Sequence, residues 1–194
     1  MKLYYSPGAC SLADHIALHE AGLPFEHERV DLKTKTIADG SDYRAVNPKG
    51  YVPALTLDSG ETLSENIAIL DWITQQAPQL SPGGQMGRTH LLEALAYIST
   101  EVHKAFAPIF KGAGEEEKTR ARDAVAMRLR YLDETMVGDY LLGPEVSVAD
   151  CYLFVMLLWA GKQGIDLPPE LAALKERMMA RESVRKAMAH EGLS

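Results

Sequence analysis

Only two cysteines occur in the 194 residues of this chain, Cys10 and Cys151, far apart and outside any C-x-x-C spacing. That scarcity excludes a disulfide framework and a cysteine-ligated metal centre, and it fits a reducing compartment such as the cytoplasm. Long apolar runs are missing as well. The longest, Cys151 to Ala160, is about half of what spans a bilayer, and Met1 to Pro7 has none of the apolar stretch of a signal peptide. Positive charge is not in surplus: 20 Lys and Arg against 27 Asp and Glu give a net charge of −7, with the basic residues scattered among acids. Nucleic acid and anionic membrane are therefore not expected as partners, and a small soluble ligand is. The chain lacks internal repeats and low-complexity tracts, while 46% hydrophobic residues are enough for a sizeable core.

What is present divides into two styles. Residues 1–77 alternate strand and helix patterns: Leu3 to Tyr5 as a strand, Leu12 to Ala21 as a helix stopped by Gly22 and Pro24, and His27 to Leu32 as a second strand. A short helix near Asp42 to Val46 follows. Ala54 to Leu57 and Thr62-Leu63 then flank a glycine-bearing hairpin turn, and Ser64 is placed to cap a helix running to Gln76. The predicted architecture is an α+β domain with a small mixed sheet carrying helices. Breakers at Pro78, Pro82, Gly83 and Gly84 mark a linker over 78–87, and 88–194 reads as an all-helical domain.

In that second domain Leu91, Leu95, Ile98 and Val102 repeat as one apolar helical face, which Pro108 should kink or end. His103 shares a neighbouring stripe with Leu92, Ala96 and Ser99, where it could face a cleft. Ser147 and Asp150 have capping-box spacing at the head of a nearly all-apolar helix, so Asp150 reads as a capping carboxylate before a catalytic one. Ser183 is placed to cap the last helix. His15 and His19 lie four apart on a helix but lack a third ligand, so no metal is expected.

Three junctions of the first domain carry chemistry. Cys10 sits where the first strand breaks and a helix begins, and free N–H groups with the helix dipole should lower its thiol pKa; the alternative is a small residue filling a turn. Pro53 precedes a strand and leaves the Val52 backbone available to an extended ligand. Ser64-Glu65-Asn66 opens a helix, where the N-terminus suits a carboxylate and Glu65 an ammonium group, together a zwitterion; capping alone would also account for Ser64 and Glu65.

The segments Lys2-Leu3-Tyr4-Tyr5-Ser6-Pro7-Gly8-Ala9-Cys10-Ser11, Val30 to Leu32, Asn47 to Leu55 (NPKGYVPAL), Glu101 to Phe106 (EVHKAF) and Ser147 to Phe154 (SVADCYLF) resemble, in this order, the thioredoxin-like glutathione transferases, and among them the bacterial beta class. The resemblance implies a four-stranded thioredoxin-like domain followed by a helical one. It implies glutathione as co-substrate and no metal. A small hydrophobic electrophile, a role in detoxification and a cytoplasmic homodimer complete its expectations. It places glutathione against Lys35, Val52, a cis Pro53, Glu65, Asn66 and Lys104, with Cys10 and His103 as the catalytic pair; Lys35 alternatively reads as a solvated surface lysine. Tyr51, Phe106, Phe110 and Trp159 are the expected walls of the electrophile pocket, and each also fits a core position. Ala96 stands where close relatives have asparagine, Asn66 where serine or glycine is usual, and the linker is shortened. Two further functions stay open: monothiol exchange through Cys10, since Ala13 offers no second cysteine, and a non-catalytic binding or regulatory protein on the same fold.

Overall fold

The computed structural model describes residues 1–193; Ser194, the last residue of the predicted helical domain, lies outside the described residues. It contains two compact units, Met1–Leu80 joined by the chain from Ala180 onward, and Ser81–Met179.

In the first unit, β1 (Lys2–Tyr5), α1 (Leu12–Glu20) and β2 (Glu26–Arg29) form the expected βαβ segment, followed by β3 (Ala54–Thr56), β4 (Thr62–Ser64) and α2 (Asn66–Gln76). The sheet order is β2-β1-β3-β4, with β1 and β2 parallel and the other two pairs antiparallel. Leu3 pairs with Leu55 across the β1–β3 ladder, so both side chains share one face, and both are fully buried. β2 stops short of the predicted Leu32 because Asp31 Oδ1 accepts the N–H groups of Lys33 at 2.8 Å and Thr34 at 3.2 Å, which turns the chain. Gly60, at φ +87°, closes the β3–β4 hairpin. Ser64 ends β4 and does not cap α2; the junction residue is Glu65.

The second unit contains α3 (Gly87–Tyr97), a π-helical turn over Ile98–His103, α4 (Ala107–Phe110), α5 (Glu115–Glu134), α6 (Val148–Lys162) and α7 (Pro169–Met179). Gly87 opens α3 because a Cβ there would stand 1.9 Å from the Pro82 carbonyl oxygen. Leu91, Leu95, Ile98 and Val102 are fully buried, as their spacing predicts. The stripe through His103 is not a straight α-helical one, since the π turn accommodates more residues than an α turn. That turn ends before Pro108, which lies in the first turn of α4.

Along α6, Val148 through Leu157 are all buried, consistent with a sequence that is apolar apart from Asp150 near its head. Its head is fixed by Asp150, whose Oδ2 accepts from the Ser147 N–H and hydroxyl, both at 2.8 Å, while Oδ1 accepts the Leu141 N–H at 2.8 Å. Capping therefore accounts for Asp150 completely. In Asp150→Asn the amide must turn its NH2 toward one of two backbone N–H groups, donor against donor. A loss of about 1–3 kcal/mol is expected, seen as a lower denaturant midpoint at unchanged slope.

The C-terminal helix α8 (Glu182–Glu191) corrects the predicted domain boundary: it packs on α1 in the first unit. Val184 and Ala187 are fully buried there. The Arg181 guanidinium pairs with Glu20, its Nη2 at 2.8 Å from Oε2. Ser183 donates its hydroxyl to Glu20 and does not cap its own helix. Burial works against ionised Glu20, but the bonds from Arg181 and Ser183 outweigh it and hold the carboxyl below its ordinary range.

Candidate active site

Cys10 follows the turn in which the Ala9 N–H bonds the Ser6 carbonyl at 3.0 Å, and α1 begins at Leu12. The thiol is half-buried and lies 3.7 Å from the Val52 carbonyl oxygen, to which it donates. The Cys10 carbonyl accepts from Asn66 Nδ2 at 3.0 Å. Two segments distant in sequence thus converge on one residue. The expected lowering of the thiol pKa does not occur. Burial first, and then the carboxyl of Asp14 one helical turn on, push the thiol up from 9.0 to about 12, against the smaller opposing effect of backbone N–H groups at Cys10 and Ser11. Cys10 is therefore a protonated thiol donor at neutral pH.

The Val52–Pro53 peptide is cis. Among the described residues the Val52 N–H has no hydrogen-bond partner, while the preceding Tyr51 carbonyl accepts from Asn47 Nδ2 at 2.7 Å and from the Tyr43 hydroxyl at 3.1 Å. Glu65, at φ +78°, holds a backbone conformation that costs a side-chain-bearing residue energy and recurs at functional sites. Its carboxylate accepts from the Tyr51 hydroxyl at 2.6 Å and pairs with Lys49, whose ammonium also reaches Ser64 Oγ at 3.0 Å. The Lys49 hydrogen bond, with that of Tyr51, holds the Glu65 carboxyl below its usual range. Lys35 Nζ donates to the Gly50 carbonyl at 2.7 Å. Cys10, Val52, Glu65 and Asn66 are thus gathered by the sheet edge and the heads of two helices. Asn66 uses its NH2 on the Cys10 backbone, and its buried Oδ1 has no hydrogen-bond partner among the described residues.

The second unit holds the other predicted residues. His103 is half-buried, its Nδ1 2.7 Å from the Tyr152 hydroxyl and its ring edge-on to Trp159 at 5.0 Å. Burial lowers its pKa, so the ring is neutral at pH 7. Phe106 is fully buried between Phe110, stacked at 5.8 Å, and Trp159, edge-on at 5.5 Å. It is core, which corrects its expected place on a pocket wall. Trp159 is 9% exposed and Phe110 52% exposed, so Phe110 presents the accessible ring of this cluster. Tyr51, 43% exposed, commits its hydroxyl to Glu65. Lys104 and Ala96 are exposed.

Comparison with known proteins decides what this arrangement belongs to. Residues 9–76 match the glutathione S-transferase N-terminal domain and residues 97–182 the glutathione S-transferase C-terminal domain. The glutathione S-transferase GstA of Escherichia coli O157:H7 is 42% identical over the full length of both chains. The chain belongs to the glutathione S-transferase family.

A bacterial beta-class transferase from Sphingomonas chungbukensis superposes with a TM-score of 0.94 at 48% identity, each chain covered completely. A sphingomonad glutathione S-transferase solved in complex with glutathione gives 0.94 at 47%, again over both whole chains. These full-length likenesses support a catalytic transferase over the non-catalytic alternative. Among the described residues, no helix of this transferase is long and apolar enough to cross a membrane.

Sequence reasoning missed Lys49 as the partner of Glu65, although the Asn47-Pro48-Lys49-Gly50 turn brings it one strand away. It also missed Tyr152 as the partner of His103; both are aromatic-face residues whose meeting depends on helix packing. His27 and His190 had no visible role, because only the sheet and α8 carry them to His15.

Proposed function

We propose that this transferase binds glutathione along the first unit and joins its sulfur to a small hydrophobic electrophile. The observation that carries the residue assignment is the convergence of the Cys10 thiol on the Val52 carbonyl and of Asn66 on the Cys10 backbone, beside the ionised Glu65. In this reading the unpartnered Val52 N–H pairs with the cysteinyl part of glutathione, and Glu65 takes the γ-glutamyl ammonium. The carboxylate of that same residue meets the first N–H groups of α2, which have no acceptor within the helix. Lys35 and Lys104 supply positive charge for the remaining carboxylate.

On glutathione binding, the protonated Cys10 turns its single S–H from the Val52 carbonyl to the glutathione sulfur, favouring its thiolate, and is not itself the attacking group. That sulfur forms a bond to carbon as the carbon–halogen bond of an aryl halide breaks; halide leaves with the bonding pair and the thiol proton passes to solvent. A neutral His103 that accepts from Tyr152 at Nδ1 carries its proton on Nε2, available to the sulfur or the departing anion. Phe110 supplies the apolar contact for the electrophile. Function as a cytoplasmic homodimer is part of the same proposal, and size-exclusion chromatography with light scattering tests the dimer.

The deciding experiment is conjugation of glutathione to an aryl halide by the parent chain and by His103→Ala and Tyr152→Phe. His103→Ala is expected to lower kcat by tens of times and Tyr152→Phe by severalfold, because the latter removes only the group that orients the ring. No turnover by the parent, with no retention on immobilised glutathione, would overturn the transferase assignment. Unchanged kcat in His103→Ala would remove that residue from the chemistry.

A further inference from the structure

The histidines of the first unit gather where β1, β2, α1 and α8 meet. One ring nitrogen each of His15, on α1, His27, on β2, and His190, on α8, lie within 4.8 Å of one another. His15 Nε2 stands 3.3 Å from His190 Nδ1. Two nitrogens each about 2.0–2.1 Å from a tetrahedral zinc ion lie about 3.3–3.4 Å apart, so this pair already has the separation that shared coordination requires. On its other side, His15 Nδ1 is 3.0 Å from Glu191 Oε1. With His15 as the Nδ1–H tautomer, that N–H donates to Glu191 Oε1 and the Nε2 lone pair faces His190, which is the arrangement that orients and strengthens a metal-ligating histidine. His19 borders the group, its ring 5.2 Å from that of His190, and its buried Nε2 has no hydrogen-bond partner among the described residues.

We propose that His15, His27 and His190 form a binding site for a divalent transition-metal ion of the zinc type, with Glu191 orienting His15 and the fourth position open to water. His27 and His190 are exposed, which gives the ion a way in, whereas His15 is buried and anchors the site. Three imidazoles suit zinc, copper or nickel and disfavour the oxygen-seeking calcium and magnesium. The site links α8 to the sheet and to α1 across most of the sequence, so occupancy stabilises the docking of the C-terminal helix. Glu191 extends the linkage, since its Oε2 accepts the Gly8 N–H at 2.9 Å in the turn that precedes Cys10. The two histidines visible as a pair in the sequence, His15 and His19, contribute one ligand and one neighbour; the fold supplies the others.

The test uses the untagged full chain, stripped with a chelator, and zinc chloride as the probe in isothermal titration calorimetry. One equivalent of zinc is expected to bind, to raise the thermal midpoint by several degrees, and to displace cobalt whose visible spectrum is that of a four-coordinate, nitrogen-ligated ion. His27→Ala/His190→Ala should bind zinc at least tenfold more weakly and lose the thermal shift. His90→Ala, on α3 of the other unit, should bind like the parent. Far-UV circular dichroism establishes that the double variant is folded; if it is not, the single variants His27→Gln and His190→Gln replace it. Zinc binding by the parent no tighter than by the folded variants, or a six-coordinate cobalt spectrum, would overturn the site. None of these readouts depends on glutathione conjugation, so failure here leaves the transferase reading intact.

Discussion

Iodoacetamide is expected to modify Cys10 on the order of fiftyfold more slowly at pH 7 than it modifies an unperturbed thiol, with a rate that climbs through pH 9 without a plateau. Burial and Asp14 move the thiol from 9.0 to about 12, which cuts the thiolate fraction at neutral pH about a thousandfold. The more basic thiolate is intrinsically the better nucleophile, and a Brønsted coefficient of about 0.4–0.5 returns roughly twentyfold of that loss. Cys151 is buried and does not compete. Intact-mass measurements against time at several pH values give the profile directly. A plateau near pH 7 would mean that the helix N-terminus prevails over burial and that Cys10 is a thiolate after all. The same property predicts the behaviour of Cys10→Ala. If the thiol supplies one hydrogen bond, its loss costs about 0.5–1.5 kcal/mol, so conjugation should fall by no more than about tenfold. Monothiol exchange with glutathione disulfide should vanish in that variant, since Cys151 has no access to solvent.

The sequence made the sheet and the helix faces legible because both rest on local periodicity. Leu3 to Tyr5 and Ala54-Leu55 are short apolar runs, buried as runs, and Leu91, Leu95, Ile98 and Val102 return every helical turn; burial follows the local pattern in each case. Asp150 was readable for the same reason, its partner Ser147 being three residues away. The readings that failed depended on non-local packing. Ser183 has a capping residue's position, yet Glu20 arrives from α1 and takes its hydroxyl. α8 follows a run of helices in sequence, yet Glu20, His15 and Gly8 offer it polar partners on the first unit, where its Val184 and Ala187 are buried. Cys10 shows most clearly how a correct local argument is overruled. Its helix N-terminus and backbone N–H groups are where they were expected, but the dipole effect is small beside the cost of burying a thiolate near another acid. No spacing rule reveals that cost, since it is set by how deeply the turn sinks against the strand edge. The π turn ending at His103 is similarly invisible to a period-3.6 reading.

Glu65→Ala is expected to raise the KM for glutathione by about 10–100-fold while leaving kcat at saturating glutathione within a few fold. The carboxylate is ionised well into the acidic range because Lys49 and Tyr51 both donate to it. A charge-assisted hydrogen bond to an ammonium group contributes about 1.5–3 kcal/mol, which corresponds to the stated change in binding. The γ-glutamyl end is remote from the sulfur, so its anchoring acts equally on the ground state and the transition state and enters KM. Glu65→Gln separates charge from shape: it keeps an acceptor but loses the ion pair with Lys49 and should fall between alanine and the parent. Backbone geometry adds an independent check. At φ +78° a residue with a Cβ is disfavoured, so Glu65→Gly should be more stable than Glu65→Ala by about 1 kcal/mol although both lack the carboxylate. If instead kcat collapses in Glu65→Ala with KM unchanged, the carboxylate acts on the reacting sulfur and the assignment of the γ-glutamyl end to it is wrong. If neither constant moves, glutathione does not lie along Glu65, and the convergence of Cys10, Val52 and Asn66 must serve a ligand bound in another direction.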